Sequence, residues 1–298
     1  MSKDLENFNK KYKTELNIDL PEIDLLSKKI GNDGLKVLCG VKFTKLDQLL
    51  LEENEISNID ILSKNKFGNK LTAIDLSTNK LTSIDILAKC DFPCLIHLFL
   101  TGNQLTSIDI FAKCNFPCLQ ELNLSTNKLK NIDIFSNVKF PNLKELDISK
   151  NEISSIDVFA KVKFPQLIQL CLDQNKINSI DVLAKFDCSK LEKLKLEKNN
   201  LKSIQVLTKI NFANLTYLSI GDDTLGENVE CLTKVNCKVL EDLYLYLNDS
   251  INRETPKIQD IVNYFEGKNV TFNFISCDDD NGGDIGDDDL DLGGGVGD

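Results

Sequence analysis

Leu95-Ile-His-Leu-Phe-Leu-Thr-Gly-Asn103-Gln-Leu105 decides the fold, because it returns as Leu119-Gln-Glu-Leu-Asn-Leu-Ser-Thr-Asn127-Lys-Leu129. The spacing L-x-x-L-x-L-x-x-N-x-I/L begins again at Leu143, Leu167 and Leu191. Its asparagines fall at Asn54, Asn79, Asn103, Asn127, Asn151, Asn175 and Asn199. Weaker copies start at Leu215 and Leu240, with Asp223 and Asn248 in the Asn place. A fixed period with several apolar positions per unit is the mark of stacked structural repeats. Each L-x-x-L-x-L reads as a short strand whose leucines turn inward while alternate residues turn out. Strands this short must pair with their neighbours, which predicts one long parallel sheet. The Asn amide both donates and accepts, so a stack of them is expected to satisfy turn backbone groups otherwise buried without partners.

The second half of each unit, as in Ser83-Ile-Asp-Ile-Leu-Ala-Lys89, places Asp60, Asp85, Asp109, Asp133, Asp157 and Asp181 at one position. These are expected to be N-caps of one or two helical turns. Phe43, Phe92, Phe116, Phe140, Phe164 and Phe212 recur three residues before the next strand Leu, which predicts an apolar spine. Pro93, Pro117, Pro141 and Pro165 follow most of them and stop the helix.

With this register the chain resembles the leucine-rich-repeat superfamily over residues 36–250, in about nine repeats. Among intracellular members it is similar to the leucine-rich regulator of type-1 protein phosphatase and the acidic leucine-rich nuclear phosphoproteins. The resemblance implies an α/β solenoid, a right-handed horseshoe with a concave parallel β-sheet and short convex helices. It says little of function.

The ends need caps, because a solenoid otherwise exposes its core. Residues 1–35, with Leu5, Phe8, Tyr12, Leu16 and Leu20-Pro-Glu-Ile-Asp-Leu-Leu26, read as an N-terminal helical cap. Residues 251–276 read as a C-terminal cap: a helix opening at Thr255-Pro256, then an edge strand at Val270–Ile275. Residues 277–298 are rich in Asp and Gly and are expected to be a disordered acidic tail.

The chain has 298 residues, 42% hydrophobic, and a formal net charge of −11. Nine acidic residues and no Lys or Arg lie between Asp278 and Asp298, leaving 35 basic against 37 acidic residues in the remainder. The body therefore carries no basic field for nucleic acid, and no apolar run approaches the roughly 18 residues of a membrane span. Met1–Lys13 lacks the apolar core of a signal peptide, and ten cysteines show no disulfide-like framework. The expectation is a monomeric protein of the cytoplasm or nucleus.

Apparent chemistry dissolves into the register. Cys90-Asp-Phe-Pro-Cys94 and Cys114-Asn-Phe-Pro-Cys118 suggest a four-thiolate zinc site. However, Cys90 and Cys114 share an apolar place with Val138 and Val162, whereas Cys94 and Cys118 share an outward place with Asn142 and Gln166. The pairs should point apart, as small hydrophobes and surface thiols respectively. Cys94 and Cys118 stack on adjacent coils, within disulfide reach. The lone histidine, His97, neighbours Glu121 across the strands and is a geometric general base, but no oriented nucleophile or pocket accompanies it. Asp278–Asp284 resembles a calcium loop without its closing Glu. No enzyme, cofactor or metal site is expected.

The outward columns of the sheet are the informative surface. They present His97 beside Phe99, taken as an exposed aromatic; an acidic middle of Glu121, Glu145, Asp147 and Asp173; and Tyr217, Tyr244 and Tyr246 next to Lys193 and Lys195. Tyrosines concentrate in binding hot spots, and acids call for a basic partner segment. The leading expectation is a non-catalytic scaffold that binds a partner protein on this face. Two alternatives stay open: a chaperone or regulator of basic proteins, histones included, acting through the acidic tail, and a microbial effector or surface repeat protein of the internalin kind.

Overall fold

The computed structural model describes residues 3–67, 69–221, 225, 229–247 and 255–276. One parallel sheet of eleven strands runs its length in sequence order. The strands are β1 (Glu22–Asp24), β2 (Gln48–Leu50), β3 (Ala73–Asp75), β4 (His97–Phe99), β5 (Glu121–Asn123) and β6 (Glu145–Asp147). They continue as β7 (Gln169–Cys171), β8 (Lys193–Lys195), β9 (Tyr217–Gly221), β10 (Asp242–Leu247) and β11 (Thr271–Ser276). The α/β solenoid read from the repeats is the architecture observed.

The inward leucines of a single coil, Leu119, Leu122, Leu124 and Leu129, are each fully buried. Burial of each contributes about 2 kcal/mol. The phenylalanine spine also forms, with the Phe116 and Phe140 rings stacked at 6.5 Å and Phe111 set edge-on to Phe140 at 5.9 Å. The asparagines make the ladder expected of them. Asn127 Nδ2 donates to the carbonyls of Leu100, Leu124 and Ser125, and its Oδ1 accepts from Leu105 N–H at 2.9 Å.

The connections are the short helical turns expected, but their caps differ. Each Asp opens a 3-10 turn of four or five residues, as at Asp85–Lys89 and Asp133–Ser136. A 24-residue coil leaves few residues here, and the longer rise of a 3-10 turn covers more distance with them. The Asp does not cap the turn: the cap position is a buried Ile such as Ile84 or Ile132, with no side-chain hydrogen bond. The residue two before the Asp does the work. Ser83 Oγ accepts from Asp85 N–H at 3.1 Å, and Asn131 Oδ1 accepts from Asp133 N–H at 2.6 Å.

The N-terminal segment is helical at α1 (Lys3–Tyr12) and α2 (Gly31–Gly40), but Glu22–Asp24 between them is a strand. It pairs with β2 in register, Ile23 opposite Leu49, so the sheet begins one coil earlier than expected. Leu20-x-x-Ile23-x-Leu25 is the strand motif at its full spacing, with Lys28 where Asn would stand. At the other end α3 (Pro256–Glu266) and β11 form as read, and Phe265 of α3 stacks on Phe272 of β11 at 6.3 Å. Asp223, Asn248, the calcium-loop-like Asp278–Asp284 and the whole of 277–298 lie outside the described residues.

One backbone position also repeats. Thr78, Gly102, Thr126, Lys150, Gln174 and Lys198 each precede a ladder Asn and each hold φ between 50° and 65°. This left-handed conformation costs a side chain about 1–2 kcal/mol, of which glycine's greater unfolded-state freedom returns roughly half. Thr126→Gly should therefore raise the thermal midpoint by about 2 °C. A lower midpoint in thermal melts would contradict this reading.

Candidate functional site

The strand register sets outward side chains into columns. His97, Glu121, Glu145, Gln169, Lys193 and Tyr217 follow one another on adjacent strands, as do Phe99, Asn123, Asp147, Cys171, Lys195 and Ser219. A third column, just past the strands, is carried by backbone bonds such as Gln174 N–H to Glu197 O at 2.9 Å and Lys198 N–H to Gly221 O at 2.8 Å.

At one end of the face, His97 Nδ1 lies 2.8 Å from Glu121 Oε2. Phe99 is not the exposed aromatic expected of it. It is only 5% exposed, its ring stacked on His97 with centroids 6.0 Å apart. The alternation that turns Phe99 outward does not keep it in water, because its neighbours close over it.

The acidic middle forms, and its members differ in environment. Glu145 is half-buried, and burial followed by the nearby Glu121 carboxylate pushes its carboxyl up from the usual value. His97, Lys193 and Lys144 oppose that shift. Asp147 also serves the fold: its Oδ1 accepts from Ser149 N–H at 2.8 Å, as Asp75 and Asn123 accept from Ser77 and Ser125. A carboxylate or amide at this position satisfies the amide leaving the strand.

Asp173 is 6% exposed, with its carboxyl pushed up to about 7 by burial and then by Glu197 and Asp147. Glu197 follows it in the third column, 8% exposed and also shifted upward, chiefly by burial. Glu197 Oε2 and Ser219 Oγ are buried without a hydrogen-bond partner. Glu197 was absent from the residues singled out in the sequence, although the Asp173–Glu197 step was visible there. Nothing in an alternating pattern says that two outward acids will be dehydrated together.

The aromatic end also assembles. Tyr217 and Tyr244 stack at 5.0 Å, and Lys193 Nζ lies 5.2 Å from the Tyr217 ring centroid. Burial, then Glu197, pushes the Tyr246 hydroxyl up to about 12. Tyr244 and Tyr246 alternate with the buried Leu243, Leu245 and Leu247. Phe272, in register with Leu243, meets α3, so that helix packs on the face opposite the tyrosines. Lys195, opposite Cys171 on β7, lowers Asp173 against the acids around it.

The thiols follow the register. Cys90 and Cys114 are half-buried with Sγ toward the carbonyls of Ile86 and Ile110, while Cys94 and Cys118 are exposed. Among the described residues no three His, Cys, Asp or Glu side chains are grouped so as to hold a metal ion, and no helix is long and apolar enough to cross a membrane.

Residues 106–180 match the model of the NXF1/2/3/5 leucine-rich repeat domain. No curated protein matches the sequence. Among solved structures, internalin C2 from Listeria monocytogenes is similar at 23% identity and a TM-score of 0.57, over 72% of this chain and 92% of that one. The ectodomain of the Arabidopsis thaliana receptor kinase GASSHO1/SCHENGEN3, solved with CASPARIAN STRIP INTEGRITY FACTOR 2, is similar at 22% identity and a TM-score of 0.50. That likeness spans 80% of this chain and 28% of the receptor chain. At these identities the likeness is one of fold. Repeat spacing, strand register and asparagine ladder together give the chain a leucine-rich-repeat fold.

Proposed function

We propose that the protein is a non-catalytic interaction scaffold that receives a lysine-bearing segment of a partner protein along the outward face of its sheet. The observation that carries this reading is a band of two carboxylate pairs, Glu121–Glu145 and Asp173–Glu197, each crowded across adjacent coils against its own repulsion. Such an arrangement costs stability in the free protein and gains from a cationic ligand. His97 at one end, and Tyr217, Tyr244 and Tyr246 at the other, bracket the band with ring surface suited to holding the rest of a peptide. The receptor similar in fold was solved with a named factor bound, which agrees with such a use of repeats.

The test is titration with an oligolysine peptide, followed by calorimetry. Glu145→Lys should weaken binding at least tenfold while leaving the thermal midpoint unchanged or higher, because it relieves the repulsion with Glu121. Asp147 is the poorer choice, since its carboxylate also holds Ser149 N–H. Unchanged affinity in Glu145→Lys would overturn the reading. A second reading rests on the nine acids of 278–298, by which the tail, not the sheet, binds basic proteins. Deleting 277–298 separates the two, because only the tail reading predicts loss of binding.

A further inference from the structure

We propose that Cys94 and Cys118 are a dithiol site that closes to an intrachain disulfide, stitching two adjacent coils of the solenoid. Of the nine described cysteines they alone are exposed; four are buried and three half-buried. They occupy the same place in successive coils, 24 residues apart. Two residues further on those coils are bonded backbone to backbone, Gln120 N–H and Glu121 N–H both donating to Ile96 O at 2.9 and 3.0 Å.

Neighbouring coils also touch at this very column. In the next step Asn142 Nδ2 reaches the carbonyl of Pro117 at 2.8 Å, and further along Lys190 Nζ reaches Gln166 Oε1 at 2.6 Å. Parallel coils in hydrogen-bond register lie about 4.7–4.9 Å apart, inside the Cα separation of roughly 4.4–6.8 Å that a disulfide spans.

The molecule supplies its own comparison. Cys90 and Cys114 share the same 24-residue step, but each Sγ turns to a carbonyl of its own coil, Ile86 and Ile110. Burial pushes these thiols up to about 11 and about 12, which suppresses the thiolate that exchange requires. Register alone would permit both pairs, and exposure selects the outer one.

With oxidised glutathione as oxidant, one thiolate of the pair attacks the glutathione disulfide and expels one glutathione thiolate. The second protein thiolate then attacks the mixed disulfide and expels the other glutathione. The protein loses two hydrogens, and two molecules of reduced glutathione form. The link closes a 24-residue loop, which constrains the unfolded chain.

The experiment treats the full chain, at high dilution, with oxidised glutathione, then determines intact mass and maps tryptic peptides. The expected product is a monomer two mass units lighter, with peptide 90–113 joined to peptide 114–128. Its midpoint should rise by about 5 °C and return on reduction. Because each of these peptides carries two cysteines, variants assign the bond. Cys94→Ser and Cys118→Ser should each abolish the link, and Cys90→Ser and Cys114→Ser should each retain it. All four sites reside in surface or half-buried positions, and melting curves of the reduced variants establish that they fold. Linkage persisting in Cys94→Ser or Cys118→Ser, stable glutathione adducts at both Cys94 and Cys118, or no consumption of either thiol would each overturn the assignment.

Discussion

Asn127→Ala is expected to destabilise the protein by about 2–4 kcal/mol, seen as a lower urea midpoint with an unchanged slope. The arithmetic follows the partners that each backbone group retains. Leu100 O keeps the amide of Asn103, and Leu124 O keeps that of Asn151, so neither is orphaned. Leu105 N–H is different: its acceptor is Asn127 Oδ1, and Leu105 is fully buried. Leaving that donor without a partner costs about 1–3 kcal/mol, and the weakened carbonyls and lost packing add the remainder. Because each coil is stabilised by its neighbours, a defect in the middle of the stack is not confined to an end that can fray. Asn127→Asp should be at least as damaging. It keeps an acceptor for Leu105 N–H but sets a buried negative charge against the carbonyls of Leu100, Leu124 and Ser125. A loss below about 1 kcal/mol for Asn127→Ala would show that the ladder is not what holds these turns.

The ladder was legible because its cause is local and periodic. One residue type recurs at steps of 25 and then 24 positions where the chain leaves the strand, and its amide both donates and accepts there. Strand β1 was not legible for the opposite reason. Its step to the next coil is 26 residues, its Asn place holds Lys28, and Pro21 with the adjoining helices suggests a cap. The template weakens where the chain has one neighbour instead of two, so the first coil departs from it. The turns were legible as short helical turns, but their helix type was not. Apolar spacing over four or five residues fits a 3-10 turn as well as an α-helical one, and coil length decides between them.

The sheet face was legible as a set of columns but not as a set of environments. Alternation assigns Phe99, Asp173 and Glu145 alike to the outside, yet Phe99 and Asp173 are buried and Glu145 is half-buried. How far a side chain is dehydrated depends on neighbours one coil away on either side, which a single strand does not encode. The same limit applies to Asp147. Its acidity reads as part of a binding surface, whereas its bond to Ser149 N–H gives it a structural duty as well.

Asp173→Asn is expected to stabilise the protein above neutral pH by roughly 2–4 kcal/mol and to change it little below about pH 4. The sign follows from the two states. In the unfolded chain Asp173 ionises near its ordinary 3.8, whereas in the folded protein it holds its proton until about 7. The folded state therefore binds the extra proton between these values. The stability that protonation confers is fully present below the lower value and is lost as pH rises through the upper one. Burial is the main cause, and Glu197 and Asp147 add repulsion that Lys195 only partly offsets. Gln174 Nε2, 3.4 Å from Asp173 Oδ2, is a weak donor at best. An asparagine removes the charge and keeps the shape, and it also lifts the repulsion on Glu197, whose Oε2 is buried without a partner. The difference in thermal midpoint between variant and wild type should thus be near zero at low pH, grow between about pH 4 and 7, and level off beyond. Parallel curves across that range would mean that the folded protein solvates the Asp173 carboxylate as well as water does. The face would then hold no stored repulsion for a cationic partner to relieve.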